Sequence, residues 1–129
     1  MPPLRDYREL VAWQEARELV KRVYALSRCF PREDLYGLTQ QFRRAAISVP
    51  SNIAEGYGRG TRKDYVRFLQ MARGSLYELH TQLLLAEDLG HATQEELKPA
   101  MQQVETCSRL LHALIRSLIA RKGNLNGRG

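Results

Sequence analysis

The stretch Leu35–Tyr57 constrains the fold most. Leu35, Leu38, Phe42, Ala45, Val49, Asn52 and Gly56 follow an unbroken alternation of three and four residues. That spacing lays one seam along a helix, with the period of helices packed side by side. A helix with such a stripe must bury it against other helices, so the chain has to supply partners. Pro50 falls inside the stretch. It has no N–H for the Ala46 carbonyl and its ring presses on that turn, so a kink is expected. Asn52 sets an amide on the seam, and Arg43 and Arg44 lie on the same helix.

Three further segments share the pattern. From Tyr7 to Ser27 the stripe is Trp13, Ala16, Val20, Val23 and Ser27, widened by Leu10, Leu19 and Leu26. Phe30-Pro31 ends this helix, because the residue before proline avoids the helical region. The second helix is expected to open shortly after Pro31, with Glu33 and Asp34 against its positive N-terminal end; Gly37 weakens its first turn. Gly56-Tyr57-Gly58-Arg59-Gly60 then stops it. Thr61 caps the third, with Asp64 three positions on. Its seam is Tyr65, Leu69, Ala72, Leu76, Leu79, Leu83 and Ala86, closed by Leu89-Gly90. Thr93 caps the fourth, with Glu95 and Glu96 in its first turn and Pro99 close to its start. Leu97, Met101, Val104, Ser108, Leu111, Ile115 and Leu118 line it, and Gly123 ends it. The expected architecture is all-α: an up-down-up-down antiparallel four-helix bundle over residues 1–122, with 1–6 irregular and 123–129 a flexible tail. No strand pattern, repeat or low-complexity tract is present.

Several function classes fall away. An apolar content of 43% with 26% charged residues is globular composition. No apolar run approaches the ~18 residues of a membrane span. The opening MPPLRDYREL lacks the order of a secretory signal, so a cytoplasmic location is expected. Cys29 and Cys107 carry no Cys-x-x-Cys spacing and read as free thiols. His80, His91 and His112 are too scattered for a shared metal site, and no cofactor is expected. Gly56-x-Gly58-x-Gly60 ends a helix and follows no strand, so it is not a P-loop. With no nucleophile triad or zinc-protease motif either, the chain reads as a non-enzyme. Arg73 and His80 lie about two helical turns apart on one face. That spacing resembles the RNase motif of HEPN domains, and it leaves a metal-independent RNase as an alternative.

Folding the second and third helices back across Gly58–Gly60 sets a register. Ala45 falls near Ala72 and Gly74, so small residues would let the backbones approach. Arg44 falls within about one turn of Glu78. An Arg44–Glu78 pair, partly buried, would fix register rather than catalyse, and Asn52 would do the same.

Charge sorts by position. Residues 35–75 carry seven basic and two acidic side chains; residues 76–108 carry one basic and six acidic. In the expected topology one end collects Arg5, Arg8, Arg59, Arg62, Lys63, Arg67, Arg116, Arg121 and Lys122, diluted by Asp6, Glu9, Glu55 and Asp64. The other end is acidic, and its first-turn carboxylates suit helix dipoles. Arg62, Lys63 and Arg67 sit near a helix N-terminus, where cations are unfavourable, and that misplacement favours an anion-binding role over a plain solvated surface. The net charge of +6 points the same way, weakly. Apolar residues also exceed one seam: Leu19, Leu26, Tyr36, Ile47, Val66, Tyr77, Leu84, Leu110 and Leu114 cannot all face inward. Exposed apolar patches mark interfaces, so a homo-oligomer is expected, and a ring would multiply the basic end.

The second and third helices resemble the family of large-subunit rRNA intervening-sequence proteins. The residues that carry this are Phe30-Pro31, Tyr36-Gly37-Leu38, Arg43-Arg44-Ala45 and the run Ser48-Val49-Pro50-Ser51-Asn52-Ile53-Ala54-Glu55-Gly56. Phe68-Leu69, Ala72, Gly74-Ser75 and Glu78-Leu79 extend it, with Trp13 and Ala16 in the first helix. The resemblance implies a small bacterial protein, often a homopentameric barrel. The accessory variability protein of diversity-generating retroelements is similar, and it binds nucleic acid and a reverse transcriptase. The matched residues mainly pack: Arg44, Pro50, Asn52, Glu55, Gly56, Gly74 and Glu78 read as architectural. The expected function is therefore a non-enzymatic homo-oligomer binding RNA or DNA phosphates through Arg59, Arg62, Lys63, Arg67, Arg116, Arg121 and Lys122. The alternative is a scaffold for a nucleic-acid enzyme such as a reverse transcriptase.

Overall fold

In α1 (Val11–Ser27) the residues turned inward are Ala12, Ala16, Leu19, Val23 and Ser27. Ala16, Val23 and Ser27 are as expected, but Ala12 and Leu19 take the places of Trp13 and Val20, which lie half-buried on the flank. Trp13 is held there by the edge of Tyr7, 5.2 Å away, and by Arg17 over its face. Leu19, expected among the surplus apolar residues, is fully buried. The computed structural model describes residues 5–128, and side chains through residue 120.

Tyr7–Glu9 forms a separate 3-10 turn, capped by the Asp6 carboxylate, which accepts from the Arg8 N–H at 2.7 Å. A second such turn, Arg32–Asp34, follows Pro31. Helix α2 therefore spans Leu38–Tyr57, with Gly37 in a non-helical conformation before it. Leu35 and Tyr36 lie ahead of α2 and are exposed, so the seam begins later than expected.

Helix α2 continues through Pro50 and buries Thr39, Phe42, Ala45, Ala46, Val49, Ile53 and Gly56. Ile53 takes the core position expected of Asn52. The Asn52 amide instead bonds within its own helix, donating to the Ser48 carbonyl at 2.8 Å, and Ser51 Oγ donates to the Ile47 carbonyl at 2.8 Å. Asn52 thus does not set register across helices.

Helix α3 spans Arg62–Asp88, with Thr61 Oγ1 accepting from the Asp64 N–H at 3.2 Å. Its seam matches expectation from Leu69 onward: Leu69, Ala72, Leu76, Leu79, Leu83 and Ala86 are buried, while Tyr65, expected on the seam, is half-buried. After a turn at Gly90 (φ +73°), α4 spans Gln94–Arg128. Its start is a reciprocal capping box: the Glu96 N–H donates to Thr93 Oγ1 at 3.1 Å, and the Thr93 N–H donates to Glu96 Oε1 at 2.9 Å. The helix passes through Gly123, expected to end it; a lone glycine costs a helix only about 1 kcal/mol.

Helix α1 packs on α2 and α4, and α3 packs on the same two, while among the described residues no Cα atoms of the diagonal pairs come within 8 Å. The result is a four-helix bundle, with no strand among the described residues. Phe42, Leu19, Ile53, Leu69, Leu79, Leu83 and Leu111 fill its centre. Cys107 is buried and Cys29 exposed, both as free thiols.

Of the two glycines inside α2 and α3, Gly56 meets the facing helix and Gly74, expected at a close approach, does not. A Cβ on Gly56 would lie 2.7 Å from the Phe68 Cβ, whereas one on Gly74 would meet nothing within 4 Å. About two turns back along α2, the Ser48 and Ser75 hydroxyls bond to each other across the same pair of helices. Arg44 and Glu78 do line one shallow concavity with Gln41, Ala45 and Ser48. They form no ion pair within 4.0 Å, because both are exposed and water competes for each charge. Glu78 accepts instead from Gln82 Nε2 at 3.3 Å. Of the surplus apolar residues, Leu26, Val66, Leu110 and Leu114 are half-buried against the core, and Tyr36, Ile47, Tyr77 and Leu84 stay exposed.

Candidate nucleic-acid interface

The α2–α3 turn is short because Gly60 adopts φ +88°, a conformation that side chains disfavour. This turn carries four of the expected cations, Arg59, Arg62, Lys63 and Arg67, and two of them lie over one aromatic ring. The Arg59 guanidinium lies 5.1 Å from the centre of the Phe68 ring, and that of Arg67 lies 4.7 Å from it. Both distances suit cation–π contact, and one buried ring thereby orients two exposed arginines. Their carboxylate contacts are loose: Arg59 Nη1 is 3.9 Å from Glu55 Oε1, and Arg67 Nε is 3.6 Å from Asp64 Oδ1. Exposed pairs of this kind hold little free energy, so the guanidinium groups remain available to another anion. Arg62 and Lys63 have no hydrogen-bond or ion-pair partner among the described residues.

Beside this group is a concavity of about 310 Å³, lined by Gly56, Tyr57, Gly60, Thr61, Arg62, Tyr65 and Leu118. The Tyr57 and Tyr65 rings meet edge to face, with centroids 6.0 Å apart and planes at 87°. Burial, followed by the nearby Tyr57, pushes the Tyr65 phenol up to about 12, so its hydroxyl keeps its proton at neutral pH. Leu118 brings α4 to the same place as the α2–α3 turn, and Arg116 is exposed two residues earlier. The side chains of Arg121 and Lys122 lie outside the described residues. At the start of the chain Arg8 is paired with Asp6 at 3.0 Å, and the Arg5 N–H donates to Glu9 at 2.9 Å.

Tyr57, Tyr65 and Phe68 were not among the residues expected to form this site. Their signal in the sequence is the alternation of aromatic and basic residues from Tyr57 to Phe68, a pattern suited to nucleic acid.

Arg73 and His80 do share a groove, about 390 Å³, between α3 and α4. Its floor is Leu76, Met101 and Val104, and its rim adds Tyr77, Glu105 and Ser108. No cluster of three metal-ligating residues occurs among the described residues. His91 bonds to Asp34 and lies 5.5 Å from the Phe30 ring, joining the α1–α2 and α3–α4 connecting segments. No helix among the described residues is long and apolar enough to cross a membrane.

Residues 8–113 match the family described as 23S rRNA-intervening sequence protein. The chain belongs to that family. The matched span takes in α1 to α3, the Arg59–Arg67 group and most of α4, and stops short of Arg116. A similar solved structure is a protein of unknown function from the S23 ribosomal protein family of Bacteroides thetaiotaomicron VPI-5482. It is 21% identical, with a TM-score of 0.76, over 82% of this chain and 96% of that one. At that identity the likeness shows the fold. No curated protein matches the chain.

Proposed function

We propose that this intervening-sequence family member is a non-enzymatic, cytoplasmic homo-oligomer that binds RNA or DNA phosphates through one basic end. The observation that carries the reading is the turn at Arg59–Arg67. There Phe68 orients Arg59 and Arg67 outward, and Arg62 and Lys63 stand beside them with no acidic partner among the described residues. Helices running up-down-up-down would add Arg116, Arg121 and Lys122 to this end. Contacts of reversed numbering support that topology: Gly56 lies against Phe68 and Ser48 bonds Ser75, while Glu15 accepts from Gln103 and Pro99 from Arg22. Assembly is supported by Tyr36 at 86% exposure and Tyr77 at 63%, with Ile47 and Leu84 also open. A ring, pentameric by the family resemblance, would present several copies of the basic end on one surface.

The test is fluorescence anisotropy of a structured RNA across a salt series. About five phosphate contacts per site should make log K fall with log salt at a slope of roughly −4. Undetectable binding at low salt sinks the proposal. RNA recovered intact from the titration separates it from cleavage by Arg73 and His80.

A second reading rests on the concavity between α1 and α2, lined by Tyr24, Leu35, Tyr36, Gln40, Arg43, Arg44 and Ile47. Arg43 is fixed there over Tyr24 at 4.7 Å, and its Nε donates to Ser27 Oγ at 2.8 Å. A rigid, partly apolar surface of this kind suits a protein partner such as a reverse transcriptase. Capture of a defined polymerase, unchanged by nuclease treatment, would favour it.

A further inference from the structure

We propose that the concavity at the α2–α3 turn holds one unpaired nucleobase, so this end takes single-stranded nucleic acid in preference to duplex. The inference rests on the phosphate-binding reading above and names the form of nucleic acid that the site accepts.

Three features carry it. The first is shape. A volume of about 310 Å³ is at the small end of the roughly 300–1,000 Å³ typical of ligand sites and has room for one flat ring system. The second is the pair of tyrosines. Tyr57 and Tyr65 stand at 87° and both line the concavity, so a base lying on one ring turns its edge toward the other. Aromatic faces accept any base, which suits recognition of a strand rather than of a sequence. The third is the polar rim. Arg62 and Thr61 line the same concavity, with groups able to reach a base edge or its phosphate, and Lys63 follows in the chain.

A duplex offers this site only its phosphates. Its bases are stacked on one another, and recognition by aromatic stacking targets loops, bulges and ends, where bases are free. The cations beside the concavity would bind either form, while the tyrosines contribute only when a base enters.

The experiment compares the full chain's affinity for a uridine oligomer and for a blunt RNA duplex of equal phosphate number, at one salt concentration. The single strand should bind about tenfold more tightly, the worth of one stacked base. An oligomer containing 5-bromouridine should crosslink to Tyr57 or Tyr65 in the unaltered protein. Tyr65→Ala should bring the single strand to within about twofold of the duplex. Tyr65→Phe, which keeps the ring, should preserve most of the preference. Circular dichroism checks the fold of both variants, and the crosslink needs no variant. Equal affinity for the two forms, or crosslinks confined to other residues, overturns the inference and leaves steep salt dependence to support the phosphate reading. No binding of either form at low salt overturns both.

Discussion

Replacing Gly56 and Gly74 by alanine should have effects of opposite sign. Both lie inside helices, and alanine is favoured over glycine there by about 1 kcal/mol. At Gly74 nothing lies within 4 Å of the added methyl, so Gly74→Ala should gain most of that amount. At Gly56 the methyl would come within 2.7 Å of the Phe68 Cβ and 3.2 Å of the Tyr65 carbonyl oxygen. Neither atom is the end of a flexible side chain, so α2 and α3 must separate. Overpacking costs about 1–3 kcal/mol, which exceeds the helix gain, and Gly56→Ala should lose about 1 kcal/mol net. The two variants should therefore differ by about 2 kcal/mol. Urea unfolding followed by circular dichroism measures this, at one protein concentration so that assembly contributes equally. If Gly56→Ala is as stable as Gly74→Ala, the helices yield at this contact, and close approach does not explain the glycine.

Other consequences follow from single sites. Thr93→Ala removes one side of the α4 capping box and should cost about 1 kcal/mol in the same unfolding assay. The Thr93 backbone N–H, then its hydroxyl, hold the Glu96 carboxyl below its ordinary value; its stabilisation is present above the ordinary glutamate range and lost as pH falls through the lowered value. Glu96→Gln should accordingly destabilise at neutral pH and have little effect in strong acid; equal losses at both would contradict this. Burial pushes the Cys107 thiol up to about 12, so iodoacetamide at mildly alkaline pH should modify exposed Cys29 and spare Cys107 until the chain is denatured. Arg62→Gln and Lys63→Gln should each reduce the salt slope of RNA binding by about 1, and an unchanged slope would remove them from the interface. Tyr36→Glu should lower the mass seen by light scattering if this exposed ring lies between subunits.

The helices were legible in the sequence because three-four spacing leaves few alternatives, and α3 buries every seam residue expected of it except Tyr65. In α1 and α2 the expected stripe held at Ala16, Val23 and Ser27 and at Phe42, Ala45, Val49 and Gly56, and went one residue astray at Trp13, Val20 and Asn52, where Ala12, Leu19 and Ile53 are buried instead. Trp13 and Ala12, or Asn52 and Ile53, both offer continuous lines, and the choice depends on neighbours that spacing does not reveal. Trp13 leaves the centre because Tyr7 and Arg17 hold it at the flank, and Asn52 because it bonds within α2. The 3-10 turn after Pro31 was not legible either, since Leu35 extends the periodicity into a segment that does not belong to α2. Register across Gly58–Gly60 came close enough to bring Arg44 and Glu78 to one concavity. It could not show that both would remain exposed, and exposure decides whether they pair.

The run Ser48–Gly56 now divides into two kinds of residue. Pro50 leaves the Ala46 carbonyl without its usual donor, and the side chains of Ser51 and Asn52 bond the next two carbonyls of that turn. The Ser48 hydroxyl crosses to Ser75. These polar groups are committed within the pair α2–α3, which explains how a polar motif can carry fold without a site. Gly56 differs, because its missing side chain admits Phe68, whose ring orients Arg59 and Arg67. Of the residues on the α2 seam, Gly56 is thus the one whose substitution should disturb stability and phosphate binding together. Changes at Val49 or Ile53, fully buried and away from the arginines, should act on stability alone.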